Sequence, residues 1–184
     1  MTNEHSSFTI QHSAFTWPAG RNPGRRFFCF CENTHVVIPI TTTRFEVPLG
    51  VWTCSECRPP GLAGAVESIW EVEGVVVNPR ERIFPNPHVD IVLNLGAPQR
   101  IVEGFDAYGA FVEGTACVSG LQQQPLIVES GLATHVFGIR LHAAAAQALL
   151  ATDMSALSGR VVELPDVVRH SSVIVERFRA AGSF

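Results

Sequence analysis

Lysine is absent from this chain of 184 residues, so all thirteen basic side chains are arginines, and seventeen acidic residues leave a net charge of −4. An acidic domain without a basic stripe has no electrostatic footprint for nucleic acid. Its one basic cluster, Arg21, Arg25 and Arg26, sits in a Pro/Gly-rich stretch and reads as a solvated tail. Long apolar runs are missing as well. Val75-Val76-Val77 and the four alanines at 143–146 fall far short of the roughly 18 residues that a membrane helix needs. The first 13 residues lack the basic start and apolar block of a secretory signal, so a cytoplasmic protein is expected, with no membrane role. Five cysteines, an odd number, do not make a disulfide framework in that setting. Neither a G-x-S-x-G elbow nor a phosphate-cradling glycine loop occurs. No catalytic residue is therefore assigned, no cofactor is expected, and the chain is not read as an enzyme.

What the chain does have is a core. It is 46% apolar and 16% charged, a balance suited to one folded domain. Residues 1–34 are rich in Ser, Thr, His, Asn, Pro and Gly and hold no lasting period, so they are expected to form an irregular, mobile extension. Between 35 and 141 short β-prone stretches alternate with turn signals. Strands are expected at 36–40, 51–57, 67–74, 82–84, 89–95, 99–102, 108–112, 116–121, 126–129 and 135–141. In 67–74 the alternation puts Ile69, Glu71 and Glu73 on one side and Ser68, Trp70 and Val72 on the other. After Leu141 the period changes to about 3.6. Residues 142–184 are expected to form a helical appendage packed on the barrel: a helix at 142–151, a short one at 154–157 capped by Thr152 or Asp153, and a last one opened by Pro165. Val167, Ile174, Phe178 and Ala181 would share the buried face of that last helix. Strands first and helices last make a mostly-β, α+β chain, a β-barrel followed by helices.

Two metal constellations are worth weighing. Cys29 and Cys31 with Cys54 and Cys57 offer four thiols in two pairs, a possible zinc set. Against it, residues i and i+3 of a strand point to opposite faces. His88-x-Asp90 with His135 or His142 offers two imidazoles and a carboxylate, a set that suits non-haem iron. The opposing reading is a turn histidine beside a capping carboxylate. The aromatics Trp52, Trp70, Phe111 and Phe137 are either core or the walls of a pocket.

Several segments, taken in order, resemble one branch of the N-terminal sensor domains of AraC-type transcription regulators. They are Arg58-Pro59-Pro60-Gly61-Leu62-Ala63 with Val66-Glu67-Ser68-Ile69-Trp70, then Phe84-Pro85-Asn86-Pro87-His88-Val89-Asp90-Ile91-Val92-Leu93-Asn94-Leu95-Gly96, Val118-Ser119-Gly120-Leu121 and His135-Val136-Phe137-Gly138-Ile139-Arg140-Leu141. Met154 to Leu157 and Val161 to Pro165 follow in the same order. Asn86-Pro87 stands where that branch has Asp-Gly. The resemblance implies a cupin-like double-stranded β-helix, or jelly-roll barrel, followed by helices used for homodimer contact. It also implies a regulatory function, in which the barrel binds a small molecule or a protein partner. Such regulators continue into a helix-turn-helix domain; this chain is expected to be the sensor part alone and not to bind DNA by itself. Within a pocket, Trp70 and Phe137 would be aromatic walls, Asp90 an acceptor and Arg140 an anion anchor, unless Arg140 pairs with Glu129 or Glu67. A metal-dependent cupin-like enzyme using His88, Asp90 and His135, and a structural or oligomerising remnant, are the alternatives.

Overall fold

A computed structural model describes residues 8–10, 26–31, 34–78, 80–103, 110–111, 116–169 and 171–181. Among the described residues, thirteen strands fall into two sheets. The smaller is ordered β1 (Phe8–Ile10), β6 (Arg80–Ile83), β11 (Leu126–Ser130), β8 (Gln99–Glu103), β9 (Ala110–Phe111). The larger is ordered β13 (Val161–Glu163), β10 (Ala116–Ser119), β7 (His88–Asn94), β12 (Ala133–His142), β5 (Val66–Val76), β4 (Gly50–Cys57), β3 (Thr34–Val47), β2 (Arg26–Cys31). Only β1 and β6 pair parallel; every other described pair is antiparallel. Ile101, Leu126 and Val128 of the smaller sheet pack with Cys117 and Val161 of the larger, so the sheets face each other around a shared interior.

Alternation decides which side chains enter that interior. In β5, Trp70 and Val72 face inward, as the 67–74 pattern predicts. In β6 the charged Arg80 and Arg82 are exposed, while Glu81 and Ile83 share the inward face. The larger sheet is covered on its outer face too. There Val89, Leu93, Val118, Phe137 and Leu141 pack under helical residues Ala146, Leu150, Leu157 and Leu164. A sheet buried on both faces needs apolar residues at both parities, and β12 has them in Val136, Phe137, Ile139 and Leu141.

The helices follow the expected order with one correction. α1 (Ala143–Leu150) starts at His142, and α2 (Met154–Leu157) is capped by Asp153, whose carboxylate accepts from the Ser155 N–H at 2.9 Å. The expected single last helix is two: α3 (Leu164–Val167), with Pro165 in its first turn, and α4 (Ser171–Ala181). The β-branched Val168 lies between them with an extended backbone, which ends the first. Val167 packs partly against the helix-covered core, whereas the side chains of Ile174, Phe178 and Ala181 lie outside the described residues. Within 1–34, where no regular structure is expected, β1 and β2 are strands; the aromatic β-formers of 26–31 pair with β3. The strand expected at 36–40 runs on to Val47, through the threonines at 41–43. The strand expected to reach 121 stops at Ser119, and the next residue, Gly120, lies against the Leu157 backbone, where any Cβ would collide. No helix among the described residues is long and apolar enough to cross a membrane.

Candidate functional site

The interior holds a cavity of about 120 Å³ between the two sheets. Its walls are mostly aliphatic, with Trp52 of β4 and Trp70 of β5 as the large side chains. Trp70 fits because β12 has a glycine opposite it: a Cβ on Gly138 would run into the indole ring. Polar groups on the wall are few, chiefly Glu81, Asp90, Asn94, Gln99, Ser119 and Thr134. Three of the six are committed: Asn94, Ser119 and, in an ion pair with Arg140, Asp90. Asn94 donates to the Ala97 carbonyl at 3.0 Å and accepts from the Gly96 N–H, while Ser119 accepts from Gln122.

Thr134 Oγ1 and Glu81 Oε1 are buried with no hydrogen-bond partner, and burial pushes the Glu81 carboxyl up to about 7. Glu81, between Arg80 and Arg82 and one residue before the strand expected at 82–84, is not among the residues singled out from the sequence. A signal was available, since Glu81 shares strand parity with Ile83.

The cavity grades into an ion pair and then a histidine pair along one face of β7 and β12. Three rungs follow from the register: Val92 opposite Gly138, Asp90 opposite Arg140, His88 opposite His142. Arg140 grips Asp90 in a two-pronged pair, Nε to Oδ1 at 2.9 Å and Nη2 to Oδ2 at 3.2 Å, and both residues are buried. Asn86 adds a 3.5 Å contact to Oδ2. Beyond that pair the His88 and His142 rings lie 5.6 Å apart between centroids. Partial burial, then the nearby Arg140 charge, lowers the His88 pKa.

Of the four expected pocket residues, Trp70 and Asp90 line the cavity. Arg140 shares their face of the sheet but pairs with Asp90, rather than with Glu129 or Glu67. Glu129 instead takes Arg80 at 2.8 Å and Arg100 at 2.7 Å. Phe137 is a correction: its odd position on β12 turns it into the helix-covered core, so it is no cavity wall. The Phe111 side chain lies outside the described residues.

The His88, Asp90 and His135 set is also corrected. His135 is seven residues from His142 on β12, about 23 Å at strand rise. It has the opposite parity, and its Nε2 bonds Glu71 at 2.8 Å on the other face. Asp90 is held by Arg140. The four-cysteine set fares no better. Cys54 and Cys57 lie three apart on β4, paired with Val72 and Ile69, so they point to opposite faces. Burial pushes the Cys54 thiol up to about 12 and raises that of Cys57, which disfavours the thiolates a zinc site needs. For Cys29 and Cys31 only backbone positions are described.

Residues 56–163 match the model of a family described as a domain of unknown function, DUF6597. No curated protein sequence matches the chain.

Proposed function

The chain belongs to the DUF6597 family; from the geometry of its interior we propose that it is a ligand-binding sensor domain, built like the N-terminal domain of AraC-type regulators. Its ligand is a small, largely apolar molecule carrying a donor or a positive charge. The observation that carries this reading is Glu81, a buried carboxyl with an unpartnered oxygen on the wall of a mostly apolar cavity. Such a group costs a few kcal/mol unless a donor meets it, and an amine or amide N–H would supply that donor. Trp52 and Trp70, on the larger sheet across from Glu81, add aromatic lining that suits a cation. The volume, about 120 Å³, is close to that of the roughly 150 Å³ cavities that take benzene, so the ligand is of that size.

Topology supports the cupin-like, jelly-roll reading. From β5 to β8 successive strands alternate between the two sheets, as do β10, β11 and β12. It also supports sensing. β7 lines the cavity through Asp90, Val92 and Asn94 and carries Val89 and Leu93 on the face that seats the helices. A ligand that prefers one position of that strand would shift the helices, and through them whatever partner or second copy they contact. On this reading the domain acts on transcription through that contact, without catalysis and without touching DNA itself.

Thermal-shift and calorimetric titration with small aliphatic and aromatic primary amines, matched alcohols and matched carboxylates tests the reading. Amines should stabilise wild type, carboxylates should not, and Glu81→Gln should lose the preference while remaining folded. If no amine stabilises the protein, or if Glu81→Gln binds amines as well as wild type does, the reading fails.

A further inference from the structure

Where the histidine rung reaches the end of the sheet, a third side chain joins it. Glu67, His88 and His142 each offer one ligand atom, all within 4.8 Å of one another, and all three residues are half-buried. None of them lines the interior cavity. We propose that these three residues form a site for a late first-row divalent metal ion, with at least one coordination position open to solvent or to an exogenous ligand.

The backbone builds this site. The two histidines come from directly opposed positions on neighbouring strands, β7 and β12, so register alone sets them face to face. Glu67 belongs to β5, the strand on the other side of β12. By simple alternation it would share the face of Ile69 and Glu71, away from the histidines. It does not, because the β12–β5 ladder shifts register between Arg140 and Leu141: Ser68 pairs with Arg140, but Val66 pairs with Leu141. The bulge turns Val66 into the helix-covered core beside Leu141 and brings Glu67 round to His142, with Oε2 at 3.7 Å from Nε2. Bulges that re-aim one side chain recur beside functional sites.

The donor set has chemistry of its own. Two imidazoles and one carboxylate suit Zn²⁺, Ni²⁺, Co²⁺ and Fe²⁺, whereas Mg²⁺ and Ca²⁺ favour all-oxygen sets. His142 Nε2 lies 3.2 Å from the Ala63 carbonyl, which can only accept, so a neutral ring in this pose keeps its proton on Nε2 and offers Nδ1 to an ion. Ligating histidines are oriented by this kind of backbone contact. Glu67 is also touched by the exposed Arg58 at 3.3 Å, a contact that an ion would weaken. Ligand atoms about 2.0–2.2 Å from an ion sit closer together than 4.8 Å, and closing that gap takes side-chain shifts of about 1 Å. Half-buried side chains have room for such shifts, and the ion has a path from solvent.

The test uses the untagged full chain, stripped with chelator and titrated with Co²⁺ alone and with Zn²⁺ alone. Isothermal calorimetry and the visible Co²⁺ spectrum are the readouts. One ion per chain is expected, with a cobalt band of nitrogen–oxygen type. Glu67→Gln, His88→Gln and His142→Gln should each weaken binding by at least about tenfold, while circular dichroism confirms that each variant is folded. His135→Gln, on the opposite face and distant along the strand, should bind as wild type does. Binding that survives the triple variant, or that is lost equally in His135→Gln, would overturn the proposal. So would the absence of stoichiometric binding below about 100 μM.

Discussion

A carboxyl that folds into an apolar wall makes stability depend on pH, and Glu81 gives that dependence a definite sign. Its ordinary value of 4.5 rises to about 7 in the folded protein. Below 4.5 the group is protonated in both folded and unfolded chains, and burial costs no charge. Between 4.5 and 7 the unfolded chain releases the proton while the folded chain retains it, so stability falls as pH rises. Above 7 both states are ionised and the loss levels off. Urea denaturation of wild type and Glu81→Gln across this window should show wild type losing up to about 3 kcal/mol relative to the variant. Parallel curves would mean that Glu81 meets a donor or cation in the folded protein after all. The same residue shows where reading the sequence stopped. The alternation of 67–74 sets Trp70 on the face opposite Glu71 and Glu73, whereas Asp90 as a pocket residue comes only from the family resemblance, and Glu81 sits in the four-residue β6, between two arginines that suggest solvent. The Asp90–Arg140 pair joins side chains 50 residues apart, and only the register of β7 on β12 reveals it.

At the level of elements, the larger sheet is a wall with two buried faces, and that explains both what the pattern revealed and what it hid. In β5 the outward positions carry Glu71 and Glu73, so period two separates the faces and puts Trp70 and Val72 together on the one that lines the cavity. In β12 both parities are apolar, because one face meets the smaller sheet and the other meets the helices. Alternation there carries no information, and Phe137 is read onto the wrong face. The bulge that re-aims Glu67 leaves no mark in the sequence either, since it needs no glycine. The helical cover itself can be tested at two adjacent residues. Leu150 of α1 is 4% exposed and packs on the sheet, while its neighbour Leu149 is 62% exposed. Leu150→Ala should cost about 2–5 kcal/mol, and Leu149→Ala less than about 0.5 kcal/mol, by chemical denaturation. Equal and small effects would show that α1 does not seat on the outer face, and the route from cavity to helices would be lost.

At the scale of the whole molecule, the boundaries of the family match do not coincide with those of the packed unit. The match begins at residue 56, inside β4, and ends at 163, the last residue of β13. Upstream of it lie β3 and most of β4, including Trp52, which is 4% exposed, lines the cavity and stacks on Phe45 with ring centroids 5.4 Å apart. Trp52 also packs with Val72 and Val76 of β5, both inside the matched region. Downstream lies Leu164, 2% exposed in the helix-covered core. A fragment spanning 56–163 would therefore lose a cavity wall, uncover Val72 and Val76, and leave most of the backbone edge of β5 unpaired, an invitation to aggregation. Losing a buried Trp costs about 3–5 kcal/mol and losing a buried Leu about 2–5, against a total stability of about 5–15 kcal/mol for a domain. The 56–163 fragment should show no cooperative thermal transition, should bind a hydrophobic dye, and should elute as aggregate. A 34–169 fragment, which restores β3, β4 and α3, should melt cooperatively as a discrete species. If the shorter fragment melted cooperatively within a few degrees of the longer one, β3 and β4 would be an added hairpin rather than a wall. The cavity would then have to be redrawn without Trp52.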